Sequence, residues 1–300
     1  MIYLLLLPNL LLGQSTEQAD TVYKNALEEF HYGSLKGKAL ISLANASKQR
    51  KQDDIALQIA ILAKSTWIEK QKPLDIFNTD LKDFINNFIL LFSLKDKLVN
   101  YIIKYPNEVD RACSESGFGK RISNYMISRY FVNPALQTAT DAKVTPAWDQ
   151  LENSVARRFG KKIAMKILLE SKIQWYSERE DWENIIKYNI QNFETNGLDT
   201  VGFGKSFINN FVFDVVFKHS NDSIVLSKGL IYIETILKTN PNRTSWLDTY
   251  ANVLYKLGRK DEAISYEKKA ITIAQKNNNK SGIIEYTDML NKMLLNEPTW

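Results

Sequence analysis

The sequence predicts an all-α fold in which antiparallel helical hairpins are stacked as an α-solenoid. Apolar residues recur at three- and four-residue intervals almost everywhere after residue 18, which is the spacing of amphipathic helices. The chain of 300 residues contains only 12 Gly and 7 Pro, too few for the many turns of an all-β fold. Hydrophobic residues make up 44% and charged residues 24%, as in ordinary folded proteins.

The length allows about two domains or one elongated array. We divide the chain into a signal peptide at residues 1–14, an N-terminal helical region at 18–140 and a helical-repeat region at 145–300. The N-terminal region is either a separate helical domain or the start of a continuous array, and the sequence does not choose between them.

The amino terminus resembles a secretory signal. Residues 1–16 carry no charge, and Ile2 to Leu12 is an apolar run broken only by Pro8 and Asn9. This run is too short to span a bilayer, which needs about 20 apolar residues, but it suits a signal peptide cut near Gln14. We therefore expect a periplasmic or otherwise extracytoplasmic protein with no stable membrane span after cleavage. The usual basic start is missing, so the signal either begins upstream or is weak, and an apolar element of the fold is the alternative.

The charge pattern argues against nucleic acid as a partner. The net charge is a modest +5, and its charges are interspersed rather than gathered in a stripe. At helical spacing the densest basic run covers more than one face, which is typical of a solvated surface. Its members are Arg157, Arg158, Lys161, Lys162 and Lys166.

Few residues are available for catalysis or for a metal. Cys113 is the single cysteine, which excludes a disulfide within the chain and any dithiol or zinc motif. His31 and His219 are far apart and lack neighbours at ligand spacing. The sequence also has no glycine-rich phosphate loop and no nucleophile elbow. We expect no cofactor, no metal and no enzymatic activity.

A short motif recurs in the middle of the chain. Phe118-Gly119 is echoed by Phe159-Gly160 and more faintly by Phe203-Gly204, at spacings within the range of helical-hairpin repeats. Each copy precedes a helical pattern. We expect each glycine to supply a left-handed residue between two helices.

Residues 244–277 form the clearest helical pair. An apolar stripe on the first helix is followed by the turn Gly258-Arg259-Lys260-Asp261 and by a second apolar stripe. The first stripe comprises Trp246, Leu247, Tyr250, Ala251, Leu254 and Leu257, and the second comprises Ala263, Ile264, Tyr266, Ala270 and Ile273. The small residues among them allow the two helices to approach closely.

This stretch resembles a tetratricopeptide repeat, both in its small-residue positions and in its turn glycine. Two positions depart from the family pattern: Glu267 stands where an aromatic residue is usual, and Gln275 where a proline is common.

A second resemblance covers the chain from Trp148 onward and rests on Arg158-Phe159-Gly160, on the turn Glu180-Asp181-Trp182 and on Leu247-Asp248-Thr249-Tyr250-Ala251. With these motifs the chain resembles the helical extension of exported bacterial thioredoxin-like proteins. The thioredoxin domain, with its Trp-Cys-x-x-Cys motif, is absent, so the redox function of such relatives cannot be carried over.

The tetratricopeptide resemblance implies a concave surface that binds a protein or peptide. It assigns to that surface Ser245, Asp248, Asn252, Tyr255 and Lys256. Asp248 would repel a carboxylate, which disfavours recognition of a C-terminal carboxylate. The alternative is that these residues are merely solvated.

Two enzymatic functions are the alternatives to a binding scaffold. Cys113 follows Arg111 and a possible helix terminus, both of which can lower a thiol pKa, so a thiol-dependent or redox-accessory role is one of them. The second is a hydrolase built on the cluster Glu178, Glu180, Asp181 and Glu183, although a helix N-terminus attracts acidic residues without any chemistry. The sequence thus favours a non-enzymatic scaffold that acts through protein contacts.

Overall fold

A computed structural model of the chain describes residues 16–300, so the predicted signal peptide at 1–14 lies outside the described residues. The chain divides into two compact units, Met1–Ile167 and Leu168–Trp300. Sequence analysis placed the corresponding boundary at residues 140–145. The structural boundary instead falls inside a helix, Lys161–Ser177.

The first unit is built of short helices. They are α1 (Thr16–His31), α2 (Lys38–Gln49), α3 (Asp53–Thr66), α4 (Pro73–Ile76), α5 (Thr79–Asn87), α6 (Lys97–Lys104), α7 (Pro106–Cys113), α8 (Phe118–Ile127), α9 (Asn133–Asp141), α10 (Trp148–Phe159) and the start of α11 (Lys161–Ser177). Two 3₁₀ turns, Ile68–Lys70 and Ile89–Leu91, and a π-helical turn, Ser128–Val132, lie between them.

The second unit contains the rest of α11 and longer helices. They are α12 (Trp182–Asn196), α13 (Gly204–Asn210), a π-helical segment (Phe211–Phe217), α14 (Ser223–Leu237), α15 (Thr244–Lys256), α16 (Lys260–Lys276) and α17 (Lys280–Leu295).

The predicted all-α class is confirmed. Residues 16–300 contain helices and no strand, and the helices pack mainly against their neighbours in chain order, as in a helical-repeat fold. Helices α15, α16 and α17 form the most extensively packed series. In the described part of the chain, no helix is both long and apolar enough to cross a membrane.

One apolar segment of the first unit differs from expectation. Residues 88–92 are apolar on every side, a pattern that predicts a buried central helix. Phe88 and Phe92 are indeed buried, but the residues between them form the 3₁₀ turn, and Leu90 is 68% exposed. The helical pattern ends earlier because Phe88 leaves the regular helical conformation at the end of α5.

The three Phe-Gly motifs have different structural roles. Gly160 lies between α10 and α11 with the expected positive φ, +94°, but its ψ of 150° is outside the left-handed helical region. The expectation was wrong for Gly119 and Gly204, which lie in the first turns of α8 and α13 without positive φ. Gly119 is required for space, because an added Cβ would lie 2.7 Å from the Pro106 Cα and nearer still to its carbonyl oxygen.

Asp110 fixes the start of α8 against α7. Its carboxylate accepts hydrogen bonds from the backbone N–H groups of Gly117 and Gly119, both at 2.7 Å. Charge-assisted bonds of this kind satisfy N–H groups that a helix start leaves unpaired. They hold Gly119 against the backbone of Pro106, where no side chain fits.

Gly119→Ala should therefore destabilise the first unit. Alanine gains up to about 1 kcal/mol of helix propensity over glycine, but overpacking against backbone costs about 1–3 kcal/mol and cannot be relieved by a rotamer change. We expect a net loss of unfolding free energy, measured by urea denaturation. Lys120→Ala is the matched control, because Lys120 is exposed in the same helical turn and should change little. A Gly119→Ala variant more stable than wild type would contradict this close approach.

Candidate functional site

The packing of α15 against α16 organises the C-terminal part of the second unit. Ala251, Ala263 and Ala270 are 0% exposed and bring the two helix backbones close together. The connecting turn uses Gly258 at φ +79°, and the Arg259 N–H closes α15 by donating to the Leu254 carbonyl at 2.9 Å. This is the hydrogen bond expected where a glycine terminates a helix in the left-handed conformation.

The five predicted binding residues all lie on α15, but they divide into two groups. Ser245, Tyr255 and Lys256 are half-buried and present part of their side chains at the surface. Asp248 is 5% exposed and Asn252 is 0% exposed, so these two face the packed interior between helices. A partner at the surface of this unit can contact Ser245, Tyr255 and Lys256 but not Asn252.

Asp248 and Asn252 belong to a buried polar cluster with Glu267 of α16. The Asn252 Nδ2 donates to the Asp248 carbonyl at 3.0 Å and to the Asp248 Oδ1 at 2.9 Å. Glu267 is 0% exposed and interacts with the Asp248 carboxyl. Neither Glu267 oxygen receives a hydrogen bond from an amide, hydroxyl or amine group, and the Asn252 Oδ1 is also unpaired.

Burial raises the pKa of both carboxyl groups. For Asp248 the main cause is desolvation, followed by the nearby charge of Glu285. For Glu267 desolvation again dominates, and the neighbouring Asp248 adds to the increase in pKa. Two carboxylates in such a site cannot both ionise cheaply, so the pair holds a proton at neutral pH.

This carboxyl pair was not among the features predicted from the sequence. The available signal was the glutamate at position 267, where the tetratricopeptide pattern usually has an aromatic residue. Because the pair is enclosed, a substrate cannot reach it. The pair instead affects the free energy of unfolding of the unit.

The end of α15 carries the most accessible part of the predicted surface. Lys256 lies beside Phe217, the last residue of the π-helical segment, and its Nζ donates to the Phe217 carbonyl at 2.6 Å. Tyr255 precedes Lys256 on α15. We call Phe217, Tyr255 and Lys256 together the aromatic face. Phe217 is 1% exposed, so Tyr255 and Lys256 form the accessible part of this face. The ring of Trp300 lies against it, with centroids 6.2 Å from Tyr255 and 6.3 Å from Phe217. The Lys256 Nζ is 5.0 Å from the centre of the Trp300 ring.

Cys113 lacks the properties of a reactive thiol. It is 2% exposed, and burial raises its pKa to about 11 despite the opposing charge of Lys82. It is also the last residue of α7, and a helix C-terminus disfavours a thiolate. The predicted lowering of the thiol pKa by Arg111 and a helix terminus was therefore wrong in direction.

The acidic cluster at residues 178–183 lies at the start of α12, where Asp181 is the N-cap residue. The Asp181 carboxylate accepts hydrogen bonds from the backbone N–H of Asn184 at 3.2 Å and from its Nδ2 at 2.9 Å. This is N-capping of α12. Glu178 lies 3.6 Å from Arg179, as an exposed ion pair.

A surface groove lies between α12 and α14. Its floor includes Ile186, Ile190 and Val225, and its rim carries both acidic and basic residues. His219 stacks on Trp182 with ring centroids 3.8 Å apart. The stacked pair and mixed charges give this groove no distinctive ligand chemistry.

No protein-family model matches the chain, and no curated protein is significantly similar to it.

The carboxyl pair predicts a distinctive pH dependence of stability. Both pKa values are raised above the ordinary values of 3.8 and 4.5. The contribution of the protonated pair to the unfolding free energy is therefore complete below about pH 4. As pH rises, the unfolded chain loses protons that the folded chain retains, and this stabilisation is progressively lost. Glu267→Gln cannot ionise, so it should raise the unfolding free energy at pH 8 by at least ~1 kcal/mol and reduce its fall between pH 5 and 8.

Urea denaturation at the two pH values measures both effects. Glu262→Gln makes the same chemical change at an exposed position of α16. The ion pair with Arg259 lowers the pKa of Glu262, so this carboxyl stays ionised between pH 5 and 8 and its substitution should leave the pH dependence in that range as in wild type. A Glu267→Gln variant with the wild-type pH dependence would contradict the shared buried proton.

Proposed function

We propose that this chain is a non-enzymatic, exported helical-repeat protein of tetratricopeptide-like type that binds a protein or peptide. The proposal combines the resemblance of residues 244–277 with the compact packing of α15, α16 and α17. Export to the periplasm or another extracytoplasmic compartment rests on the apolar sequence of residues 1–14.

One observation carries the binding proposal. The aromatic face at the end of α15 is occupied by a non-helical segment, residues 297–300, through the ring of Trp300. A surface that accepts an irregular segment of its own chain has the shape and chemistry to accept a peptide from another protein. Aromatic side chains are also common energetic centres of protein interfaces.

The thiol alternative receives no support from the surroundings of Cys113. A buried sulfur whose pKa is raised is mostly protonated at neutral pH and therefore a poor nucleophile. We accordingly retain the binding scaffold as the single proposed function.

The test compares three forms of the full chain as baits in an extract of the cells that produce it. Tyr255→Ala removes a ring of the aromatic face, whereas Tyr266→Ala removes a half-buried tyrosine of α16 that packs on Tyr250 instead. We expect a protein that wild type and Tyr266→Ala both capture, and whose recovery, quantified by mass spectrometry, falls at least ~10-fold with Tyr255→Ala. Equal recovery with all three baits, or no captured protein, would contradict binding at this surface.

A further inference from the structure

The chain after α17 is directed back toward α15 by a specific helix ending. Asn296 adopts the left-handed conformation at φ 57°, and the Glu297 N–H donates to the Lys292 carbonyl at 2.8 Å. Lys260, at the start of α16, donates to the Asn296 Oδ1 at 2.6 Å and to the Leu294 carbonyl at 3.2 Å. The direction in which residues 297–300 leave the helix is therefore fixed by residues that do not touch the aromatic face.

The interactions of Trp300 define what the aromatic face recognises. Its ring is arranged edge-to-face with Phe217 at 85°, and it lies beside Tyr255 under the Lys256 ammonium group. Burial lowers the pKa of Lys256, which indicates that its ammonium group is partly desolvated. A cation–π contact is stronger when the cation is desolvated, so an aromatic side chain suits this position.

The fit of residues 297–300 is nevertheless incomplete. Trp300 remains 52% exposed, and the Thr299 hydroxyl is buried without a hydrogen-bond partner. A buried, unpaired hydroxyl loses its hydration without compensation. A segment without that hydroxyl, or with a partner for it, would fit the same face better.

We propose that the aromatic face binds an extended segment of a partner protein through an aromatic side chain, and that residues 297–300 compete with it internally. This inference rests on the proposed binding function and adds the ligand class and its regulation. The partner must displace Trp300 before its own ring contacts Phe217, Tyr255 and Lys256.

The strength of such competition follows from tethering. A short linker holds an internal segment at an effective concentration of roughly millimolar. If the free segment binds with a dissociation constant of ~100 μM, the tethered copy weakens external binding about 10-fold. Removing the internal ring should restore the full affinity.

The experiment measures binding of a fluorescein-labelled peptide with the sequence of residues 296–300, by fluorescence anisotropy on the full chain. We expect Trp300→Ala to bind this peptide at least ~10-fold more tightly than wild type. A peptide with alanine in place of its tryptophan should not bind. Thr299→Val, which removes the unpaired hydroxyl, should strengthen internal docking and weaken peptide binding to the otherwise wild-type chain at least ~threefold.

Two further variants locate the binding surface. In the Trp300→Ala background, added Tyr255→Ala should abolish peptide binding, whereas added Tyr266→Ala should preserve it. Circular dichroism checks that each variant retains its helices, so that loss of binding reports on the surface.

Several outcomes would overturn the inference. They are equal peptide affinity for wild type and Trp300→Ala, no binding by folded Trp300→Ala up to ~1 mM, and binding that survives Tyr255→Ala. A wild-type dimer that Trp300→Ala dissociates would assign the face to a second copy of this chain instead. If the peptide does not bind but the recovery of a captured protein still depends on Tyr255, this inference is wrong and the proposed function stands.

Discussion

The close packing of α15 on α16 is the constraint on which the rest of the second unit depends. Alanines at 251, 263 and 270 leave room for the two backbones to approach, and their exposed fraction is 0%. One result is that Asp248 and Glu267 are enclosed between helices, where desolvation keeps a proton on the pair. The compact fold of this unit and the predicted pH dependence of its stability therefore have the same cause, the close approach of α15 and α16.

The same packing brings the end of α15 and the start of α16 to one end of the unit. Lys256 there binds the Phe217 carbonyl, while Lys260 binds the end of α17 and fixes the exit of residues 297–300. Trp300 consequently lies on the aromatic face. The proposed binding surface and its internal competitor thus both depend on how one hairpin is packed.

Sequence periodicity predicted this hairpin well because both helices are amphipathic and separated by a glycine turn. Residues 244–277 were expected to form a helical pair, and α15 and α16 span Thr244–Lys256 and Lys260–Lys276. Periodicity did not reveal the burial of Asp248 and Asn252, because polar residues on a helix usually face solvent. It likewise missed the π-helical segment at Phe211–Phe217, the space requirement at Gly119 and the docking of Trp300, which depend on contacts distant in sequence.

Both the proposed binding surface and its internal competitor require that Trp300 occupies the aromatic face in the free protein. The most direct measurement is the ¹⁹F NMR spectrum of the chain labelled with 6-fluorotryptophan, with the Trp300 resonance assigned by Trp300→Phe. We predict a Trp300 resonance displaced from that of the free amino acid, which moves toward the free value in Tyr255→Ala and stays in place in Tyr266→Ala. A Trp300 resonance at the free value in the wild-type chain, unchanged by Tyr255→Ala, would contradict the account.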